Sequence, residues 1–281
     1  MPLSKEFKEE LRKRISKART TVAPENAVGQ WIAGFTAAGI DYNLESIMKK
    51  LPNKDFKIKL PKGKKTWHLL SRYRESKQID HIISDKKGKP VVIVEDKWLK
   101  DQRHLKDKGS WIMVLKAVRE ANPTLRGVIA ILSGDWNETT INVLQKLAYV
   151  FHIPLKTVYD NLKKVGIEVK IDKKRQAFEN PRELLNTILG VVESNLNQDK
   201  DILTEVGKKI TKKIAGPLEK KIKELLYPEE EETAEKYEFS ITTNWGRVKL
   251  VEGKCANKKP DDLIEEVKKL VETSSSTKKK T

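Results

Sequence analysis

Two carboxylates and an ammonium, those of Asp80, Glu95 and Lys97, have the spacing to meet in space. Ten acid-x-Lys tripeptides occur in the 281 residues, so Glu95-Asp96-Lys97 means little by itself. Its surroundings set it apart. Gln78 to Ser84 and Pro90 to Trp98 read as strands, joined by the turn Asp85-Lys86-Lys87-Gly88-Lys89. With Lys87-Gly88 at the centre of a hairpin, Asp80 falls opposite Glu95 and Gln78 opposite Lys97. Opposed residues on antiparallel strands project from one face, with Cβ atoms about 4.5–5.5 Å apart. Glu95 and Lys97 share that face because the strand period is two.

Two like charges held that close repel, and a divalent cation between them resolves the conflict. Hard oxygen ligands with open positions suit Mg²⁺, with Mn²⁺ able to substitute, and leave room for phosphate oxygens. The lysine can then orient or deprotonate a water and stabilise charge developing on phosphate. The expected chemistry is metal-assisted cleavage of a phosphodiester. The competing reading is an edge hairpin with surface Lys–Glu pairs. Both faces of this hairpin look apolar, and exposed pairs are then hard to place. A second strand-like Glu-x-Lys, Glu168-Val169-Lys170, has its nearest upstream acid, Asp160, in an expected helix, where no hairpin can oppose it. His81, His104 and His152 lack helical His-x₃-His spacing and are read as none of them zinc ligands. Asp135 is expected to cap or turn into the next helix.

The elements that must position this group come in two styles. Residues 4–19 read as a basic amphipathic helix, with Leu3, Phe7, Leu11 and Ile15 every four residues. Pro24 opens a second helix, which Gly39 is expected to interrupt before a third around Leu44 to Leu51. Phe56, Ile58 and Leu60 alternate with lysines as a strand, Pro61 to Lys64 is a turn, and Trp67 to Leu70 is a further strand. Val91 to Val94 and Gly127 to Ser133 are continuous apolar runs, expected to be covered on both faces in an α/β sheet. Leu105 to Ala121 and Thr139 to Phe151 read as helices, and Ile167 to Ile171 as a late strand. After Pro181 a four-residue apolar stripe runs from Ile202 to Ile222, broken by Gly216-Pro217. Pro228 and Glu229 to Glu232 read as a linker. A hairpin from Glu238 to Val251 turns at Asn244-Trp245-Gly246, a helix follows at Asp261 to Glu272, and Thr273 to Thr281 is a disordered tail. The division expected is a helical arm at 1–24, a core at 25–180, a mainly helical C-terminal extension at 181–272, and the tail at 273–281.

Composition narrows the partners. The net charge is +17, and residues 51–110 alone hold 17 basic and 8 acidic side chains. A field so concentrated attracts a polyanion such as nucleic acid, although a lysine-rich thermophile surface gives a similar total. Lys62, Lys64, Lys65, Arg72, Arg74, Arg103, Lys106 and Lys108 supply most of the excess and are the candidate phosphate contacts. Trp67, Tyr73, Trp98 and Trp111 interleave with them but are read as core rather than base-stacking groups. No apolar run approaches a membrane span and the N-terminus lacks a signal-peptide core, so a cytoplasmic protein is expected. The lone Cys255 excludes an internal disulfide framework or a multi-cysteine metal site.

The stretch Ile79-Asp80-His81-Ile82-Ile83, a turn, then Val91-Val92-Ile93-Val94-Glu95-Asp96-Lys97 resembles the motif of the PD-(D/E)xK nuclease superfamily. That superfamily includes type II restriction endonucleases, archaeal junction resolvases and repair nucleases. The resemblance covers roughly residues 25–135, with Ile79 where a proline is usual. It implies an α/β core with a mixed central sheet flanked by helices, in which the hairpin presents the metal site. It maps Asp80 and Glu95 onto metal ligands and Lys97 onto the catalytic lysine. Members often add an acid from the preceding helix, for which Glu45 is the candidate. The function implied is a Mg²⁺-dependent endonuclease acting on double-stranded DNA, of restriction type, working as a homodimer. A structure-specific repair or recombination nuclease and a non-catalytic DNA-binding protein are the alternatives. The C-terminal stripe is left to pack on the core, to recognise DNA or to pair two chains.

Overall fold

The computed structural model describes residues 3–52, 55–59, 67–102, 105–172, 174–228, 235–243 and 246–255, the last two segments and residues 106–108 as backbone only. The described chain divides into two units, residues 1–227 and 228–281. Among the described residues no helix is long and apolar enough to cross a membrane.

The larger unit is built on a five-stranded mixed sheet. Its strands are β1 (Phe56–Lys59), β4 (His81–Asp85), β5 (Pro90–Leu99), β6 (Gly127–Gly134) and β7 (Tyr149–Pro154), in the order β1-β4-β5-β6-β7. The β1–β4 and β4–β5 pairs are antiparallel, whereas β5–β6 and β6–β7 are parallel. Parallel neighbours need a crossover. The helix α3 (Leu105–Ala121) makes the first and α4 (Glu138–Gln145) the second. A short sheet of β2 (Trp67–Leu70) and β3 (Ser76–Ile79) stands beside the main one.

Helices cover both faces, which explains the unbroken apolar runs of β5 and β6. Val92, Val94, Ile129 and Ile131 join a core with α1 (Lys5–Arg19), α2 (Pro24–Lys50), α5 (Leu155–Lys163), α6 (Pro181–Asn197) and α7 (Ile202–Leu226). Ile93, Leu99, Ala130 and Leu132 point the other way, onto Ile112, Leu115 and Val118 of α3. The apolar stripe of the C-terminal region is therefore spent on packing. Val206, Ile210, Ile214, Leu218 and Ile222 lie in the same core as Val28, Ile32, Phe35 and Ile40 of α2.

Gly39 does not interrupt α2, which runs unbroken for 27 residues. Its role is close approach. A Cβ on Gly39 would lie 2.2 Å from the carbonyl oxygen of Gly207, and one on Gly207 would lie 2.4 Å from that of Phe35. The two glycines let α2 and α7 touch backbone to backbone, and Asn43 then donates to Thr211 across the buried seam at 2.9 Å. Gly39→Ala is expected to force the helices apart and cost about 1–3 kcal/mol or more. Urea unfolding with an unchanged midpoint would contradict this.

Other expectations are corrected by packing. Pro217 lies within α7 rather than ending it, because it is on the exposed face, where water can satisfy the carbonyl it leaves free. The helix expected at Thr139 to Phe151 stops at Gln145, and Tyr149, Val150 and Phe151 enter β7. Aromatic and β-branched residues fit a sheet edge, and here tertiary pairing overrides the helical pattern. Of Ile167 to Ile171 only Ile171 is in a strand, the two-residue β8 (Ile171–Asp172), paired with β9 (Ala177–Phe178). Asn137, not Asp135, caps α4, accepting from Thr140 N–H at 2.8 Å. Residues 181–227 belong to the same unit as the sheet. The smaller unit holds the expected hairpin, as β10 (Glu235–Thr243) and β11 (Gly246–Cys255). The turn at 61–64, the acidic run at 229–232, the helix at 261–272 and the tail at 273–281 lie outside the described residues.

Candidate active site

The β4–β5 hairpin reaches the expected register by an unexpected route. Asp85 and Lys89 close the turn, with Asp85 N–H donating to Lys89 C=O at 2.9 Å and Lys89 N–H to the Asp85 carboxylate at 2.8 Å. The loop is therefore the three residues Lys86, Lys87 and Gly88, and Gly88 takes the left-handed conformation (φ 80°) that such a loop requires. Lys87-Gly88 is not its centre. Ser84 pairs with Pro90, and a bulge then shifts the register by one, so that Ile83 faces Val92 and His81 faces Val94. One step further places Asp80 opposite Glu95. Asp80 is also where the chain leaves the main sheet, between β3 and β4. Gln78 consequently pairs with His68 of β2 rather than facing Lys97.

At that break the three expected groups converge. The Lys97 ammonium donates to Asp80 Oδ2 and to Glu95 Oε2, each at 2.6 Å. Glu95 Oε1 accepts from Asp80 N–H at 3.0 Å, and Asp80 Oδ2 from Asp96 N–H at 3.2 Å. Glu95 is 0 % exposed, while the side chains of Asp80 and Lys97 keep 26 % and 14 % of their surface, so solvent reaches the group from Asp80. Burial, reinforced by Asp80, pushes the Glu95 carboxyl up to about 7 despite Lys97. Burial also works against Asp80, but Lys97 and the hydrogen bond with Glu95 hold it below its ordinary value. Lys97 is raised above the usual lysine value, because Glu95 and Asp80 outweigh its burial. The resting site is thus an ammonium held between the Asp80 carboxylate and a Glu95 carboxyl whose burial raises its pKa.

Trp111, read from the sequence as core, is part of this group. Its indole N–H donates to Glu95 Oε2 at 3.1 Å, and the Lys97 ammonium lies 5.7 Å from its ring centroid. On the other face of the hairpin, Asp41 of α2 meets His81. Histidine Nε2 is 2.7 Å from Asp41 Oδ1 and Nδ1 is 3.2 Å from the Val94 carbonyl oxygen. Both ring nitrogens face acceptors, which only an imidazolium can satisfy. Burial favours the neutral ring, yet the Asp41 hydrogen bond and the charges of Asp96 and Asp80 raise His81 to about 9. Asp96, on the face opposite Glu95, is raised to about 6 by burial, against the pull of His81. The signal for these residues was present: polar His81 and Asp96 interrupt apolar strands, and Asp41 is an acid on a mostly apolar helix. Glu45 is exposed on α2, and the α2 acid that meets the hairpin is Asp41, one turn earlier.

The His81 pair has a pH signature. A pKa raised from 6.5 to about 9 contributes stability that is complete below pH 6.5 and is lost as pH rises through 9, on the order of 3 kcal/mol. Unfolding measured in chelator from pH 6 to 10 is expected to show that loss in the wild type and not in His81→Asn. Parallel curves would contradict it.

The candidate DNA contacts are only partly described. Arg72 pairs with Glu120 at 2.8 Å, and exposed Arg74 is in the β2–β3 turn with φ 61°. Lys106 and Lys108 are on the first turn of α3, while Lys62, Lys64, Lys65 and Arg103 lie outside the described residues. The rival Glu168 is in irregular chain and pairs with Lys163 at 3.1 Å. Compared with family models, curated proteins and solved structures, the chain matches none.

Proposed function

We propose that the chain is a divalent-metal-dependent endodeoxyribonuclease of the PD-(D/E)xK type, cutting duplex DNA as a homodimer in the manner of a type II restriction enzyme. The observation that carries this reading is the meeting of the Asp80 and Glu95 carboxylates on one cation, the Lys97 ammonium. A mixed sheet, antiparallel at β4–β5 and parallel at β5–β6, supports it as the mixed central sheet that the resemblance implies.

The donor set fits Mg²⁺ better than zinc. Among the described residues no three His, Cys, Asp or Glu side chains converge as a metal cluster. Two carboxylates suit an ion that keeps several waters and takes phosphate oxygens as further ligands. Asp80 and Glu95 would hold it, and when bound it supplies Lewis-acid polarisation of phosphate and a more acidic water. Lys97, held as the ammonium, acts as a charged donor that orients the attacking water and stabilises charge on the phosphate, rather than as a base. Trp111 and the Asp80 N–H hold the Glu95 carboxylate in place. The His81–Asp41 pair ties α2 to the strand beside Asp80.

The test of substrate class is cleavage of long linear duplex beside forked and four-way-junction DNA, each with Mg²⁺ or EDTA. Discrete Mg²⁺-dependent fragments from the linear duplex are expected. Cuts confined to branched DNA would replace the restriction reading with a repair or recombination nuclease. Binding without cutting of either would leave a DNA-binding protein.

A further inference from the structure

Between the C-terminal half of α1 and the first turns of α2 the surface opens into a cavity of about 500 Å³. Its polar wall is Arg14, Lys17, Thr20, Thr21 and Gln30, its floor includes the buried Trp31, and none of its lining residues is acidic. The Arg14 guanidinium lies over the indole of Trp31, 4.9 Å from the ring centroid. Stacking of this kind orients a planar fork and leaves its N–H donors free at the edge.

The charges of α1 are disposed unequally. Lys8 and Arg19 are neutralised from outside the helix by Asp199 and Glu193, each at 2.5 Å. Arg14 and Lys17 are exposed and, like Lys5, Arg12 and Lys13 of the same helix, have no ion-pair partner among the described residues; they are the two cations that line the cavity. Desolvation lowers the Arg14 pKa, opposed only by Glu10 one turn before it. Arg14 nevertheless stays charged, as guanidinium does throughout the accessible range. The carbonyl end of α1 should repel an anion, but Arg182 covers it, donating to Arg19 C=O at 3.3 Å and to Thr21 C=O. Thr21 Oγ1 accepts from Ala23 N–H at 3.2 Å and so keeps its own proton to give.

We propose that this cavity is a phosphate-binding site, in which Arg14 and Lys17 supply charge and the Thr21 hydroxyl a hydrogen bond. Phosphate reaches it either as part of a nucleic-acid strand or as a free phosphate compound. The first source rests on the nuclease reading above, and the second does not.

Two titrations of the full-length protein separate the cases, using wild type, Arg14→Gln/Lys17→Gln, Lys17→Gln alone, and Lys13→Gln as a control on the same helix outside the cavity lining. Pyrophosphate is titrated by calorimetry, and a duplex of random sequence is titrated in Ca²⁺ at several salt concentrations. Saturable pyrophosphate binding lost in the double variant, weakened in Lys17→Gln and kept in Lys13→Gln establishes the site. Each phosphate contact contributes about 0.9 to the slope of log K against log salt. A slope reduced by about one to two in the double variant, beyond the control's change, identifies the strand as the source, and an unchanged slope identifies a free phosphate compound. Equal pyrophosphate binding or none in all four proteins, with equal slopes, overturns the proposal. Wild type that binds pyrophosphate but no duplex counts against the nuclease reading while upholding the site. Lys17→Gln keeps the test informative if loss of the Arg14 stack impairs folding.

Discussion

Asp80→Asn is expected to lower strand cleavage by on the order of 10³-fold or more while leaving duplex binding within about threefold. The substitution is chosen from the hydrogen bonds. Asp80 Oδ2 accepts from Lys97 and from Asp96 N–H, so an asparagine can place its carbonyl oxygen there and keep both contacts. What it removes is the negative charge and the second ligating oxygen. Glu95→Gln is a poorer probe. Glu95 Oε1 accepts from Asp80 N–H, while Oε2 accepts from both Lys97 and Trp111, so an amide nitrogen at either end meets a donor. Glu95→Gln should therefore lose stability as well as cleavage, whereas Asp80→Asn should lose cleavage alone. Gel-based cleavage, filter binding and thermal unfolding on the same preparations check this, and near-normal cleavage by Asp80→Asn would remove Asp80 from the site.

Lys97→Met is expected to be the most destabilising single change at the site in metal-free buffer. It leaves two carboxyls facing each other, one of them fully buried, with the compensating cation gone. Removing one partner of a buried ion pair costs about 3–5 kcal/mol, an upper range here because Asp80 is partly exposed and Glu95 can take up a proton. The loss should accordingly be larger at pH 8 than at pH 6, since Lys97 is what draws the buried Glu95 carboxyl downward, and without it Glu95 must keep its proton to higher pH to remain buried. Mg²⁺ or Ca²⁺ should restore more stability to Lys97→Met than to wild type, by supplying the cation that the ammonium no longer provides. Urea unfolding at both pH values, with and without the ion, measures this. Equal responses to the ion would argue against a cation position between the two carboxylates.

The hairpin was legible because it is local. Two apolar runs joined by a lysine-rich turn with a glycine specify β4 and β5, and strand periodicity then brings Asp80, Glu95 and Lys97 to one face. Even so, the sequence reading centres the turn on Lys87-Gly88 and contains no bulge, and its register holds because the turn's one-residue offset is cancelled by the bulge between Ile83 and Ser84. What sequence patterns could not carry was tertiary. Gly39 reads locally as a helix breaker, and its purpose appears only when Gly207, far along the chain, is packed against it. Tyr149 to Phe151 continue a helical pattern and are claimed by the open edge of β6. Trp111 is separated from Glu95 by a loop and the first turn of α3, and neither element betrays that one indole N–H will be aimed back at the strand. The sequence offers Glu45 as the helix acid, and the structure brings Asp41, one turn away on the same helix, to the hairpin, because helical spacing cannot say which turn of α2 crosses it.

The most direct test of the central claim is the conversion of closed-circular plasmid, followed on a gel, by wild type and Asp80→Asn in Mg²⁺ or in EDTA. Nicked, linear or fragmented DNA formed by wild type in Mg²⁺ alone, and absent with Asp80→Asn in either buffer, is the result predicted. Equal cleavage by both proteins, or cleavage that persists in EDTA, would contradict a metal-dependent nuclease built on Asp80, Glu95 and Lys97.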